Sequence, residues 1–139
     1  MIYRSKFWIM FLHILGLYAL LVVIDDGFDI NYEAFLVGLI FVMLFSVVAT
    51  YYFKITTFEN HIRAYDFWGK YHSLEWRNIT KVKSIQIVGL KYLRVYGDGQ
   101  ARPLWIPCFL RNMDEFVKDV HNKISHENPL YDYLQPSNA

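Results

Sequence analysis

Apolar positions run almost unbroken through the first third of the chain and alternate with polar ones in the remainder, so the two parts suit different solvents. Phe7 to Ile24 (FWIMFLHILGLYALLVVI) and Phe35 to Tyr52 (FLVGLIFVMLFSVVATYY) each hold 18 residues without a formal charge. That length is near the minimum for a helix that crosses the hydrocarbon core of a bilayer. Both runs are therefore expected to be transmembrane helices. Arg4 and Lys6 ahead of the first run imitate a signal peptide. The run is long for one, however, and ends in Val22-Val23-Ile24-Asp25-Asp26 rather than in small residues suited to cleavage, so a retained anchor is expected.

Beyond the second run the period becomes two. Ile55 and Thr57, then Ile62 and Ala64, flank Glu59-Asn60 and predict a hairpin. Gly69 divides Arg63 to Trp68 from Tyr71 to Trp76, and Gly89 divides Ser84 to Val88 from Leu90 to Tyr96. Gly97-Asp98-Gly99-Gln100 is a strong turn before Leu104 to Ile106. About six short strands in succession imply an antiparallel meander. Met113, Phe116, Val117, Val120 and Ile124 then recur at helical spacing, while Lys118, Asp119 and Lys123 fall elsewhere. Asn112 with Glu115 is a variant of the capping box, so one amphipathic helix is expected to cover an open end of the sheet. Past Ile124 the sequence keeps no period and predicts an extended tail, although Leu130, Tyr131 and Tyr133 are able to dock. The chain thus divides into a two-helix anchor at 1–53, with spans at 7–24 and 35–52, an α+β domain at 54–125 and a tail at 126–139.

The stretch SLEWRNITKV fits neither a clean strand nor a clean helix. Trp76 and Ile79 lie one helical turn apart around a bend, which suits a core corner between two hairpins. The order WRNITKV, paired strands, then LWIPCFLRNMDEFVKDV resembles the bacterial pleckstrin-homology-like (PH-like) domains, including the YcxB-like membrane-anchored group. Trp76 and Ile79 match one feature of that pattern, and Ile106-Pro107 with Phe116 match another, over roughly residues 52–125. The resemblance implies a bent sheet or partial barrel capped by a C-terminal helix, attached to a membrane by the preceding helices. It implies little chemistry, because fold alone does not give function.

Charge sets the expected orientation. The connection DDGFDINYEA holds Asp25, Asp26, Asp29 and Glu33 without Lys or Arg, whereas Arg4, Lys6 and Lys54 flank the spans. Positive charge favours the cytoplasmic side, so both termini are expected in the cytoplasm of a bacterium, with the helices in its inner membrane. From Lys54 onward there are 12 Lys and Arg against 9 Asp and Glu. This mild excess suits an anionic membrane surface and is too scattered for nucleic acid. Lys54 and Arg63 occupy the first hairpin, where phosphoinositide-binding pleckstrin domains carry a denser basic cluster. Lys81, Lys83, Lys91 and Arg94 form a second basic region, read either as solvated strand surface or as a lipid- or partner-binding patch.

No catalytic pattern stands out. Cys108 is the only cysteine, so no internal disulfide forms, and it has no basic neighbour in sequence to activate it. His61, His72, His121 and His126 are scattered and lack metal-ligand spacing, and neither a G-x-S-x-G elbow nor a phosphate-binding glycine loop occurs. No metal, cofactor or enzymatic activity is expected. His13 is an ionisable group inside a span, and Ser46 lies at a comparable depth on the second helix, so a polar contact between them is expected, with Gly16 allowing close approach. The leading expectation is a non-enzymatic interaction or scaffold module that meets membrane lipids and a protein partner. Its rivals are an immunity protein that protects the membrane from a toxin, and a ligand-sensing membrane effector in which Tyr92, Tyr96 and Trp105 would stack on a nucleotide.

Overall fold

The computed structural model describes residues 1–26 and 32–134; residues 27–31, with Asp29 of the acidic connection, and 135–139 lie outside the described residues. The chain forms two compact units, Ser5–Tyr52 and a second that joins Met1–Arg4 to the segment from Phe53 onward.

The first unit is a pair of helices, α1 (Phe7–Asp26) and α2 (Tyr32–Tyr52), of 20 and 21 residues. Each is about 30 Å long, the thickness of a bilayer's hydrocarbon core. Both are long and apolar enough to cross a membrane, and no residue of the first span is buried. Leu12, Leu20 and Leu21 on α1 and Leu36, Ile40, Leu44 and Phe45 on α2 all face outward. A helix in the core of a water-soluble unit would bury such side chains, each worth about 1.5–3 kcal/mol. The helices approach closely at Gly38, where the Tyr18 ring occupies the space a Cβ would need, and the Tyr18 hydroxyl donates to the Phe35 carbonyl at 3.3 Å. Gly16, the expected contact, has open space beside it.

The second unit is an antiparallel sheet of seven strands: β1 (Ile2–Arg4), β2 (Lys54–Thr57), β3 (His61–Tyr65), β4 (Tyr71–Glu75), β5 (Ile79–Ile87), β6 (Leu90–Gly97) and β7 (Leu104–Pro107). Strands β1 to β4 make one meander and β5 to β7 another, joined where Tyr65 of β3 pairs with Trp105 of β7. The expected six strands gain a seventh at the N-terminus. Ile2, Tyr3 and Arg4 pair with Thr56, Ile55 and Lys54, so α1 and α2 are an insertion between two neighbouring strands. The Met1 ammonium donates to the Thr57 carbonyl at 2.7 Å, and the Arg111 N–H donates to the Arg4 carbonyl at 2.9 Å. The sheet unit therefore takes in Met1–Arg4 together with the segment from Phe53.

Between β4 and β5 the chain turns through a 3₁₀ segment, Trp76–Asn78. Trp76 and Ile79 are both buried there, and the Trp76 indole N–H donates to the Phe58 carbonyl at 3.1 Å. Ile62, Leu93, Val95, Leu104 and Ile106 extend this core across both meanders. Helix α3 (Met113–His121) covers it with Phe116 and Val120, and Tyr3 of β1 meets Phe116 edge-on at 5.1 Å. The Asn112 side chain does not cap the α3 backbone; its amide donates instead to the Glu115 carboxylate at 2.8 Å.

The segment expected to be an extended tail is docked up to Leu134. Pro129–Tyr133 forms a short helix, α4, whose first turn is capped by the Asn128 side-chain Oδ1 accepting from the Leu130 N–H at 3.0 Å. Leu130 and Leu134 enter the core, and the Tyr131 ring lies against both His121 and His126. A helix this short displays no sequence period, which is why alternation and helical spacing both failed to mark it.

Truncating Phe116 to Ala should cost about 3–5 kcal/mol, because the ring is fully buried between α3 and β1. Urea denaturation of the reconstituted protein, followed by its tryptophan fluorescence, to which the buried Trp76 contributes, checks this. A loss below about 1 kcal/mol would place the ring outside the core.

Candidate functional site

Strand alternation sorts the basic residues of the second meander. Val82 of β5, Leu93 and Val95 of β6, and Leu104 and Ile106 of β7 point to the core. Lys81, Lys83 and Ile85, Tyr92, Arg94 and Tyr96, and Trp105 consequently share the outer face. Lys83 is directly opposite Arg94, which is in turn opposite Trp105. The Arg94 guanidinium sits 5.4 Å from the ring centres of both Tyr96 and Trp105, and Tyr92 meets Trp105 edge-on at 5.8 Å. Arginine over aromatic faces is held by cation–π attraction, but two cations directly opposed across a strand pair repel. An anion resting on this face would relieve that repulsion.

Lys91 does not join this group. Alternation puts it on the side of Leu93, and its charge acts on Cys108. Burial pushes the Cys108 thiol up, and Lys91 opposes that only in part, which leaves an unreactive thiol. Three of the four basic candidates are thus brought together.

The outer face continues into the β3–β4 hairpin tip, which the sequence did not mark. Phe67 packs at a tilt against Trp105 at 5.4 Å and edge-on against Trp68 at 5.5 Å, yet Phe67 and Trp68 are 64% and 71% exposed. A buried carboxylate fixes the tip. Asp66 Oδ1 accepts from the backbone N–H groups of Trp68 and Lys70, both at 2.9 Å, while Oδ2 lies 3.3 Å from His72 Nε2 and 3.4 Å from Arg102 Nη1. Gly69 completes the turn at φ +73°, a conformation that side chains disfavour. Burial pushes the Asp66 carboxyl up, but the bonds from Lys70, Arg102, Trp68 and His72 outweigh it and hold the group below the usual carboxylate range.

A second buried cluster locks α3 to the first strands. Asp119 pairs with Lys123 one turn on, at 2.8 Å, and accepts from the Thr57 hydroxyl of β2; both charged side chains are nine-tenths buried. Burial pushes Asp119 up, but Lys123 and Thr57 pull it below its ordinary value. Burial and the neighbouring Asp119 charge push the Tyr3 phenol up to about 12. Helical spacing had put Asp119 and Lys123 outside the apolar positions; their separation of four residues was the available signal of a pair.

The remaining candidates stay apart. The corner at Trp76 opens onto a shallow groove of about 500 Å³ between Glu59, Glu75, Arg77 and Lys123. Its charges balance, and Arg77 already pairs with Glu75 at 2.7 Å. In the helical pair the Ser46 hydroxyl donates to the Val42 carbonyl at 2.6 Å, so its proton is directed along its own helix rather than toward His13. Among the described residues no cluster of three or more His, Cys, Asp or Glu side chains could hold a metal ion. Comparison of the chain with protein-family models, with curated proteins and with solved structures yields no match.

Both buried carboxylates carry the same pH dependence. Their folded values lie below the unfolded ones, so their contribution is complete above about pH 5 and lost as pH falls through the lowered values. Urea midpoints of the reconstituted protein should be flat from about pH 7 to 5 and fall below about pH 4; Asp66→Asn with Asp119→Asn should be less stable at neutral pH and flatter in acid. Tyr3 has the opposite sign: its raised value means stability present below about pH 10 and lost as pH rises toward 12. Tyrosinate absorbance should show a component titrating near pH 12 that Tyr3→Phe removes, leaving Tyr92, which burial also raises, in place.

Proposed function

We propose that this chain is a membrane-anchored, non-enzymatic interaction module of the PH-like kind. In this reading α1 and α2 span a bacterial inner membrane, both termini are cytoplasmic, and the outer face of β5–β7 binds an anionic or aromatic-seeking partner. The observation that carries the reading is the helical pair inserted between the adjacent strands β1 and β2. That pairing returns the chain to the side from which it left, with Arg4 opposite Lys54, so the cations lie on one side as the charge rule requires. Two successive meanders followed by an amphipathic helix support the PH-like resemblance, together with the buried Trp76, Ile79, Ile106 and Phe116.

The binding face is a shallow display of Lys81, Lys83, Arg94, Tyr92 and Trp105 rather than an enclosed cleft, which suits a macromolecular surface more than a small substrate. The sensor reading is weaker for a specific reason: Arg94 already covers faces of Tyr96 and Trp105 on which a nucleotide base would have to stack.

A photo-crosslinking residue placed at Ile85 or Tyr96 in living cells should give discrete adducts, with Glu127 as a silent control. Lys83→Glu with Arg94→Glu should weaken them by roughly fivefold or more for each charge, the effect of about 1 kcal/mol per cation near an anionic surface. Adducts arising only from α1 and α2 would instead favour the immunity reading. Reporter fusions at the two termini should both read cytoplasmic.

A further inference from the structure

We propose that the Phe67-Trp68 hairpin tip is an interfacial anchor that inserts into the headgroup region of the same bilayer that α1 and α2 cross. This rests on the membrane-spanning reading above and assigns a specific contact to it. Two large aromatic side chains side by side at 64% and 71% exposure are unusual on a water-soluble surface and usual at a lipid headgroup boundary.

The choice of a bilayer over a protein follows from chain continuity. Phe53 is the first residue after α2 and belongs to the sheet unit. Its ring meets Tyr65 at 5.1 Å, and the space where a Gly69 side chain would begin is 3.9 Å from the Phe53 ring. One residue spans less than 4 Å, so a tip packed against the Phe53 ring is tethered within about 15 Å of the end of α2 by chain connectivity, once the length of the Phe53 side chain is counted. Tyr51 and Tyr52 at the end of α2 and Trp8 at the start of α1 are exposed aromatics at the matching ends of the helices. They form the kind of belt that marks a membrane surface.

Charge agrees with the same occupant. Arg63 is exposed on β3 and Lys70 in the turn itself, Lys54 opens β2, and the acid nearest the tip, Asp66, is buried beneath it. The tip therefore offers aromatic side chains with cations around them and no exposed carboxylate between Tyr65 and Tyr71, as an anionic headgroup layer requires. Asp66 also explains how two aromatics stay exposed instead of folding back. Its bonds to the Trp68 and Lys70 N–H groups hold the tip in one conformation, so little ordering is needed on contact.

The test uses the full-length chain with Cys108→Ala, carrying a nitroxide at one introduced cysteine: Phe67→Cys, Trp68→Cys, Leu44→Cys in α2, or Ser125→Cys between α3 and α4. Each is reconstituted into vesicles of phosphatidylcholine and phosphatidylglycerol, and collision rates with oxygen and with a water-soluble nickel chelate are compared. Positions 67 and 68 should be oxygen-rich and shielded from nickel, shallower than 44, with 125 fully open to nickel. Water-like collisions at 67 and 68 with a lipid-like 44 would overturn the anchor alone. Water-like collisions at 44 as well would remove the membrane reading beneath it. Spin–spin broadening at 67 and 68 without lipid exposure would assign the tip to a second copy of the chain and likewise overturn the proposal.

Discussion

The hydrogen-bonded pairing of Ile2–Arg4 with Lys54–Thr56 is the constraint on which the rest of the structure depends. It fixes the two ends of the helical pair side by side, and it gives the first meander its outer strand. It also places Tyr3 beneath Phe116, so the position of α3 depends on a residue that precedes the first helix. Without that strand, β2 would present an open edge, and open edges invite pairing with other chains. The Arg111 N–H on the Arg4 carbonyl continues the same logic by joining β1 to the segment after β7.

Two buried carboxylates divide the remaining organisation between them. Asp119 joins β1, β2 and α3 through Tyr3, Thr57 and Lys123, while Asp66 orders the β3–β4 tip and reaches Arg102 beyond β6. Removing either acid's partners would leave a charge out of contact with water, which is far more costly than losing an exposed ion pair. Each cluster is therefore a point of conformational specificity. The first closes the core, and the second holds two aromatic rings in the open.

The architecture at the level of elements was largely legible. Two uninterrupted apolar runs, alternation from Ile55 to Ile106 and one amphipathic helix correspond to the two helices, the sheet and α3. What was missed has a common physical origin. Ile2–Arg4 is too short to show alternation, and its partner strand lies beyond both helices. Pro129–Tyr133 is too short to show helical spacing. Asp66 went unmarked, and Asp119 and Lys123 stood only outside the apolar spacing, because polarity in a sequence does not reveal which charges find partners inside the fold. The outer face of β5–β7 was half legible: four cations were visible as a group, but only strand register separates Lys91 from the other three. The aromatic tip was read merely as strand and break, since exposure is a property of the folded chain.

The insertion of α1 and α2 between β1 and β2 also sets an order of assembly. Residues 2–4 leave the ribosome before both helices, yet the strand they pair with follows those helices, so this early segment is among the last to find its place. On the proposed membrane reading, a chain whose first helix inserted in the opposite sense would carry Ile2–Arg4 to the far side of the bilayer, where no partner strand exists. Such a chain would lack Tyr3 against Phe116 and the Asp119 cluster around it, and its sheet could not close. On that same reading, correct threading of the helices is written into the stability of the domain that follows them, and a misthreaded copy would distinguish itself by failing to fold.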